Sequence, residues 1–261
     1  MVGAVAVLAL AAPALAPHHP AQIVGDPAQP PGGPAPLGTN ALGQDLLSHL
    51  LYGARTSLLV AFLAGALSTA LSASAGVAAG LWPEVEGAAL AVTDLFLALP
   101  GLPVVILLVV FLGPGTWGLV AALGLMSWAA FARIVFSQAR STLRKEYAEA
   151  ARALGSTTVR LARTVVLPEV APVLYTKFLL TVRWAVLLEA TLGLLGLGDP
   201  ARTSWGMVLH QAFAYPLLFV TNAWIWWAGP PALAIVATSV GLMAIGQDLD
   251  IWLNPRARPQ G

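Results

Sequence analysis

Glu149-Ala150-Ala151-Arg152-Ala153-Leu154-Gly155, then nine residues, then Val165-Val166-Leu167-Pro168, lies in a basic stretch between two long apolar segments. A glycine placed after an alanine-rich run reads as the end of a short helix, because glycine enters the left-handed region without a Cβ clash. Pro168 suits the first turn of a following helix, where its missing N–H is one of the unpaired donors in any case. The spacing therefore predicts a short polar helix carrying Glu149, a sharp turn at Gly155, and a membrane helix that opens at Pro168.

The composition around this stretch sets the class. Hydrophobic residues make up 58% of the 261 and charged residues only 10%, with a mean hydropathy of +0.79. Soluble domains carry about 25% charged residues. The apolar segments are long and unbroken rather than alternating, which predicts an all-α membrane protein and not a barrel. A net charge of +1 gives no support for a nucleic-acid partner. The absence of cysteine excludes disulfides, a thiolate nucleophile and a Cys-based metal site. His18 and His19 are adjacent and read as a solvated pair, so no metal site and no cofactor is expected. The chain lacks G-x-x-x-x-G-K-[ST], H-E-x-x-H and G-x-S-x-G. It therefore does not read as an enzyme: no catalytic residue is assigned, and it cannot hydrolyse ATP by P-loop chemistry.

Six transmembrane helices are expected, with the short polar helix between spans four and five. Residues 1–16 are apolar but short of the roughly 20 a span needs. They read as the outer part of a first span whose basic start lies upstream, in preference to a signal peptide ending at Ala14-Leu15-Ala16. Residues 17–56 form an external segment, Pro-rich and then amphipathic, in which Asn40 is expected to cap an interfacial helix bearing Leu42, Leu46, Leu47, Leu50 and Leu51. The core, 57–247, holds spans at about 57–81, 88–112, 115–136, 169–197 and 224–247, with the loop 137–168 inside it. Gly229-Pro230-Pro231 predicts a bend in the last span, and 248–261 is a tail. Arg140, Arg144, Lys145, Arg152, Arg160 and Arg163 crowd the loop, and Arg256 and Arg258 the tail, whereas the opposite loops hold only Arg55 and Arg202. This asymmetry predicts a cytoplasmic loop and a cytoplasmic C-terminus. Trp82-Pro83-Glu84-Val85-Glu86-Gly87, on the same side, is acidic, but acidic residues weigh little in the rule.

The E-A-A-x3-G-x9-V-x-L-P spacing resembles the EAA motif of ABC-importer permeases, with Val165 where that family usually has Ile. Leu37-Gly38-Thr39-Asn40-Ala41-Leu42-Gly43-Gln44-Asp45 and Tyr52-Gly53-Ala54-Arg55-Thr56-Ser57-Leu58 resemble stretches of the dipeptide/oligopeptide/nickel permeases. So do Asp94 with Pro100, Glu189-Ala190-Thr191-Leu192 through Gly198, Ser204-Trp205-Gly206 and Asn254-Pro255-Arg256. The chain is similar to the second permease type of that family. Gln44 departs from its common Arg, and the insert before Ser204 is short. The resemblance implies a bacterial inner-membrane protein that pairs with a sister permease, two ATP-binding subunits and an external solute-binding protein. It implies that Glu149, Ala150, Ala151, Gly155, Leu167 and Pro168 couple the pore to the ATPase. Peptides are the expected cargo, with nickel or a metal chelate as the alternative. A secondary transporter, the more distant alternative, would show internal repeats, and none is evident.

Three charges fall inside the fifth span. Lys177 lies close enough to the cytoplasmic end to snorkel towards headgroups. Glu189 lies near the outer end. Arg183 sits roughly 22 Å beyond Pro168 at 1.5 Å per residue, in the middle third of the membrane. Intramembrane charges face a bundle interior or a water-filled path, so Asp94, Arg183 and Glu189 are candidate pathway or structural residues. Arg183 is expected to be structural, and the difference in depth argues against its pairing with Asp94.

Overall fold

The computed structural model describes the backbone of residues 12–253, and it is helical throughout apart from loops and three isolated bridges. The expected first span and Asn254-Pro255-Arg256 fall almost wholly outside the described residues. The helices are α1 (Ala12–Leu15), α2 (Leu46–Leu81), α3 (Pro83–Ala98), α4 (Gly101–Leu112), α5 (Thr116–Ser127), α6 (Ala129–Thr142), α7 (Glu146–Ala153), α8 (Thr158–Leu161), α9 (Leu167–Leu194), α10 (Trp205–Phe213) and α11 (Gly229–Leu253). A π-helical stretch, Ala162–Val166, joins α8 to α9. Among the described residues three helical runs are long and apolar enough to cross a membrane, Leu46–Leu81, Thr158–Leu194 and Ala223–Gly246. The bent pairs α3–α4 and α5–α6 raise the number to as many as 5.

α2 and α9 pack together at the centre, with α5 and α6 against α2 and α10 and α11 against α9. The buried face of α2 is a ladder of small residues, Ser57, Ala61, Gly65, Ser68, Ser72 and Gly76. Between lipid-exposed helices there is little hydrophobic drive to associate, so close approach of small residues supplies the packing. By contrast α3 buries only Thr93. Leu95, Leu102, Leu107, Val110 and Phe111 of α3 and α4 are exposed.

Several boundaries differ from expectation. Asn40 does not cap a helix: its side-chain carbonyl accepts from Leu42 N and Gln44 N at 2.9 and 3.0 Å and closes a loop. Asp45 is the cap, accepting from Leu47 N and Ser48 N, and the helix it starts runs unbroken into the membrane as α2, so there is no separate interfacial helix. The span at 88–112 is broken, with α3 and α4 meeting at 97° across Leu99–Pro100. Helix α3 also begins at Pro83, inside the expected link. The next span bends by 47° at Trp128 and reaches Thr142. Pro230 and Pro231 occupy the first turn of α11 and bend nothing, because prolines there displace no helical hydrogen bond. The helix expected to open at Pro168 begins ten residues earlier at Thr158, capped by the Thr157 hydroxyl. The π-helical stretch between them shifts the bonding register just ahead of Pro168, which has no N–H to offer.

Candidate functional site

The short polar helix is α7, and it ends as its sequence requires. Gly155 has φ +83°, its N–H reaches Arg152 O at 2.9 Å, and Ser156 N–H reaches back to Ala151 O at 3.0 Å. These are the two bonds of a Schellman ending. Ala148 is buried and seats α7 on the bundle, while Glu149 and Ala150 are exposed and Ala151 half-buried. Leu154 is 88% exposed at the tip, an apolar side chain that touches little of its own chain. Leu167 and Pro168 are exposed too. The anchor at that point is Val166, fully buried with Val77, Val135, Ala139 and Val170.

Behind α7 a polar triad ties its start to that of α9. Lys145 Nζ donates to Glu169 Oε2 at 2.9 Å, and the Tyr147 hydroxyl donates to Glu169 Oε1 at 2.6 Å. The Glu169 carboxylate, and secondly Tyr147, hold the Lys145 ammonium above its ordinary pKa, so it stays charged at neutral pH. A second linkage runs beside it. Arg140 on α6 pairs with Glu86 on α3 at 2.5 Å, and Arg133 on α6 pairs with Asp94 on α3. The two pairs are spaced about two turns apart on facing antiparallel helices. Asp94 thus has a partner, Arg133, that the sequence reading did not single out. The signal was present as acidic residues two turns apart on one segment and arginines two turns apart on the next.

The charges of α9 separate by direction. Lys177 does not snorkel: its residue is 0% exposed, and Nζ donates to Ser68 Oγ and Ser127 O at 2.9 Å and to Thr181 Oγ1 at 3.2 Å, over the Phe131 ring. The bend at Trp128 explains this. It frees the Ser127 carbonyl, which Lys177 takes, while the Ser72 hydroxyl adds a second bond at 2.7 Å to the Trp128 carbonyl, which still accepts from Ala132 N–H. A buried cation supplied with such acceptors gains nothing by reaching for headgroups. Glu189 is 1% exposed, beside the hydroxyls of Ser57 and Ser204 but without a hydrogen bond of good geometry to either. Arg183 is half-buried, on the side of α9 that exposes Leu180, Trp184 and Leu187. It forms no ion pair among the described residues, and Asp94 is engaged elsewhere. The structure therefore does not bring Asp94, Arg183 and Glu189 together.

At the opposite end, Ser204-Trp205-Gly206 has a structural account. Ser204 caps α10 through Met207 N, Trp205 Nε1–H donates to Leu50 O at 3.0 Å, and Gly206 lies against the backbone of Ala190 and Gly193. Asp199 caps another helix from a distance, accepting from Thr116 N at 2.9 Å and Thr116 Oγ1 at 2.7 Å. Burial raises the Asp199 carboxyl, but these bonds, the Ala201 N–H and nearby Arg202 outweigh it and hold the pKa below the ordinary carboxylate value. A group lowered on folding stabilises above its unfolded pKa, and the stabilisation is lost as pH falls through the folded value. Asp199→Ala is thus expected to lower the unfolding midpoint of the purified protein at pH 7 by about 2–4 °C, the effect of a ~1 kcal/mol cap in a chain this long. The gap to wild type should narrow at acid pH, and an unchanged midpoint at pH 7 would refute the capping role.

Comparison with known proteins agrees with this arrangement. Residues 69–259 match the family described as binding-protein-dependent transport system inner membrane component. The di/tripeptide transport system permease protein DppC of Pseudomonas aeruginosa is 34% identical over 96% of this chain and 84% of its own. The dipeptide transport system permease protein DppC of Bacillus subtilis is 31% identical over 97% of this chain and 78% of its own. In fold, a chain of the inward-facing MetNI methionine ABC transporter superposes with a TM-score of 0.57 at 17% identity, covering 78% of this chain and 97% of that one. A helical bundle with a capped polar helix between two of its spans, matched over most of its length, belongs to the family of binding-protein-dependent transport system inner membrane components, the permease subunits.

Proposed function

We propose that this chain is one of two permease subunits of an ATP-driven peptide importer in the bacterial inner membrane. It forms half of the translocation path with a sister permease, docks through α7 on a separate ATP-binding subunit, and takes cargo from an external solute-binding protein. The observation that carries the coupling role is α7 itself. It offers Glu149 and the bare Leu154 to solvent, while the Lys145–Glu169–Tyr147 triad links it to α9. A push on α7 would therefore reach the central helix. Peptide cargo is favoured over a nickel chelate because relatives similar over most of the chain are named as di- and tripeptide permeases. The basic side of the bundle is assigned to the cytoplasm.

The test is uptake of labelled dialanine by cells producing all the subunits, combined with cysteine accessibility. Because the chain has no cysteine, single substitutions report cleanly. Gln29→Cys should react with an impermeant maleimide in intact cells, and Leu154→Cys should react only after permeabilisation. The reverse pattern would overturn the orientation, and uptake independent of the ATP-binding subunits would overturn the coupling role.

Arg183 is assigned a structural role, held by carbonyls or by a carboxylate of the sister subunit. A cation stranded near the membrane centre costs about 2.5–3.5 kcal/mol on insertion scales. Arg183→Ala should therefore reduce the amount of assembled complex and leave the uptake ratio of dialanine to dialanine amide unchanged. Normal assembly with a selective loss for the free acid would make Arg183 a pathway residue.

A further inference from the structure

At the end of the bundle away from α7 lies a cavity of about 530 Å³, lined by the segment before α2, the first turns of α2, the loop after α9, and α10. This is within the ~300–1,000 Å³ typical of small-molecule sites. Arg55 and Arg202 both line it. They are the only Lys or Arg side chains of the segments 17–56 and 198–223, on the face where the charge rule disfavours cations, and the fold brings them to one place. No Asp or Glu lines the cavity. Neither arginine forms an ion pair among the described residues. Asp199, the acid closest in sequence to Arg202, spends its hydrogen bonds on Thr116 and Ala201 and feels Arg202 only through space, without forming an ion pair with it.

His49 is 4% exposed, and its Nε2–H donates to Pro20 O at 2.9 Å because a carbonyl can only accept, which leaves Nδ1 as a lone-pair acceptor. Both His49 and Gln211 line the cavity, but His49 Nδ1 and Gln211 Oε1 are themselves shut off from it, so recognition in the cavity falls to the two arginines. Two guanidinium groups outside any ion pair among the described residues, in a cavity whose wall holds no Asp or Glu, complement a molecule that carries a free carboxylate.

We infer that this cavity is a receiving site for the free carboxylate of a short peptide, held by Arg55 and Arg202. The inference rests on the peptide-importer reading and adds a second selection, made by the permease itself after the binding protein releases its cargo. Guanidinium groups suit the task because their planar fork meets a carboxylate with paired bonds.

The experiment uses the complete transporter in proteoliposomes with a cysteine-free background and a single Thr203→Cys, a residue of the cavity wall. The readout is the rate of labelling by an impermeant maleimide. Millimolar dialanine should slow labelling several-fold, dialanine amide should not, and the protection should disappear in Arg55→Gln/Arg202→Gln. If the double variant does not assemble, Arg202→Gln alone decides the point, since Arg202 lies in an exposed loop. Equal protection by acid and amide, no protection by either, or protection that survives loss of Arg202 would overturn the proposal. So would protection by peptide-free binding protein, which would make the cavity wall a protein-docking surface. Failure of the peptide reading shows separately, as wild-type transporter that imports no dialanine at all.

Discussion

Gly155→Leu is expected to leave the permease assembled in the membrane and to cut substrate-driven uptake by about tenfold or more. The added side chain meets nothing, since no atom lies within 4 Å of a Cβ built at Gly155. The effect comes from the backbone. At φ +83° a side-chain-bearing residue is strained by ~1–2 kcal/mol, and ~1.4 kcal/mol placed on docking is a factor of ten. The strain would loosen the Schellman ending and move Leu154 and the Glu149 face away from the partner groove. Gly155→Asn, which tolerates the left-handed region better, should keep more activity than Gly155→Leu. Glu149→Lys should match or exceed the loss through charge reversal at the docking face, and should spare the fold, because Glu149 is exposed and forms no ion pair among the described residues. Uptake per assembled complex, beside ATPase activity, is the measurement. Wild-type uptake by Gly155→Leu at normal assembly would refute the coupling role.

Gly206→Val is expected to remove the assembled protein altogether. A Cβ at Gly206 would stand 2.6 Å from Ala190 O and 2.9 Å from the Cα atoms of Ala190 and Gly193. These are backbone atoms of α9, so no side chain can swing aside. Overpacking against adjustable neighbours already costs about 1–3 kcal/mol, and whole-domain stability is only about 5–15 kcal/mol. The reciprocal change, Gly193→Ala, meets Gly206 Cα at 2.8 Å and should fail in the same way. Gly87→Ala is the control. Nothing lies within 4 Å of its Cβ, and alanine in the interior of α3 should be neutral or stabilising by roughly 0.5–1 kcal/mol. Membrane-fraction yield and size-exclusion profile separate the outcomes. A monodisperse Gly206→Val protein at wild-type yield would show that α9 and α10 do not pack as described.

The candidate site was legible wherever chemistry and chain direction are local. The turn at Gly155 and the exposure of Glu149 follow from residues within one helical turn of each other, and the structure shows both. Leu167 and Pro168 were singled out, but burial falls on Val166, because the helix enters the bundle from Thr158 and its phase is already set before Pro168. The break at Leu99–Pro100 carried a visible proline. The bend at Trp128 carried neither proline nor glycine and depends on hydroxyl and ammonium donors from α2 and α9. The partnering of Asp94 with Arg133 left a signal in the two-turn spacings of both segments, but selecting it needs the spatial pairing of α3 with α6.

The sequence by itself determined the membrane class, the helical architecture and the position of the capped polar helix. These follow from composition, segment length and turn residues, all of which act over a few residues. Only the tertiary structure decided where the buried charges point and which distant residues meet. Lys177 turns inward because a bend fifty residues earlier in the chain frees the Ser127 carbonyl. Arg55 and Arg202 share one cavity because α2 and α9 run side by side. In a bilayer every polar group must find a partner inside the protein, and that partner is set by how helices pack, not by what precedes it in the chain.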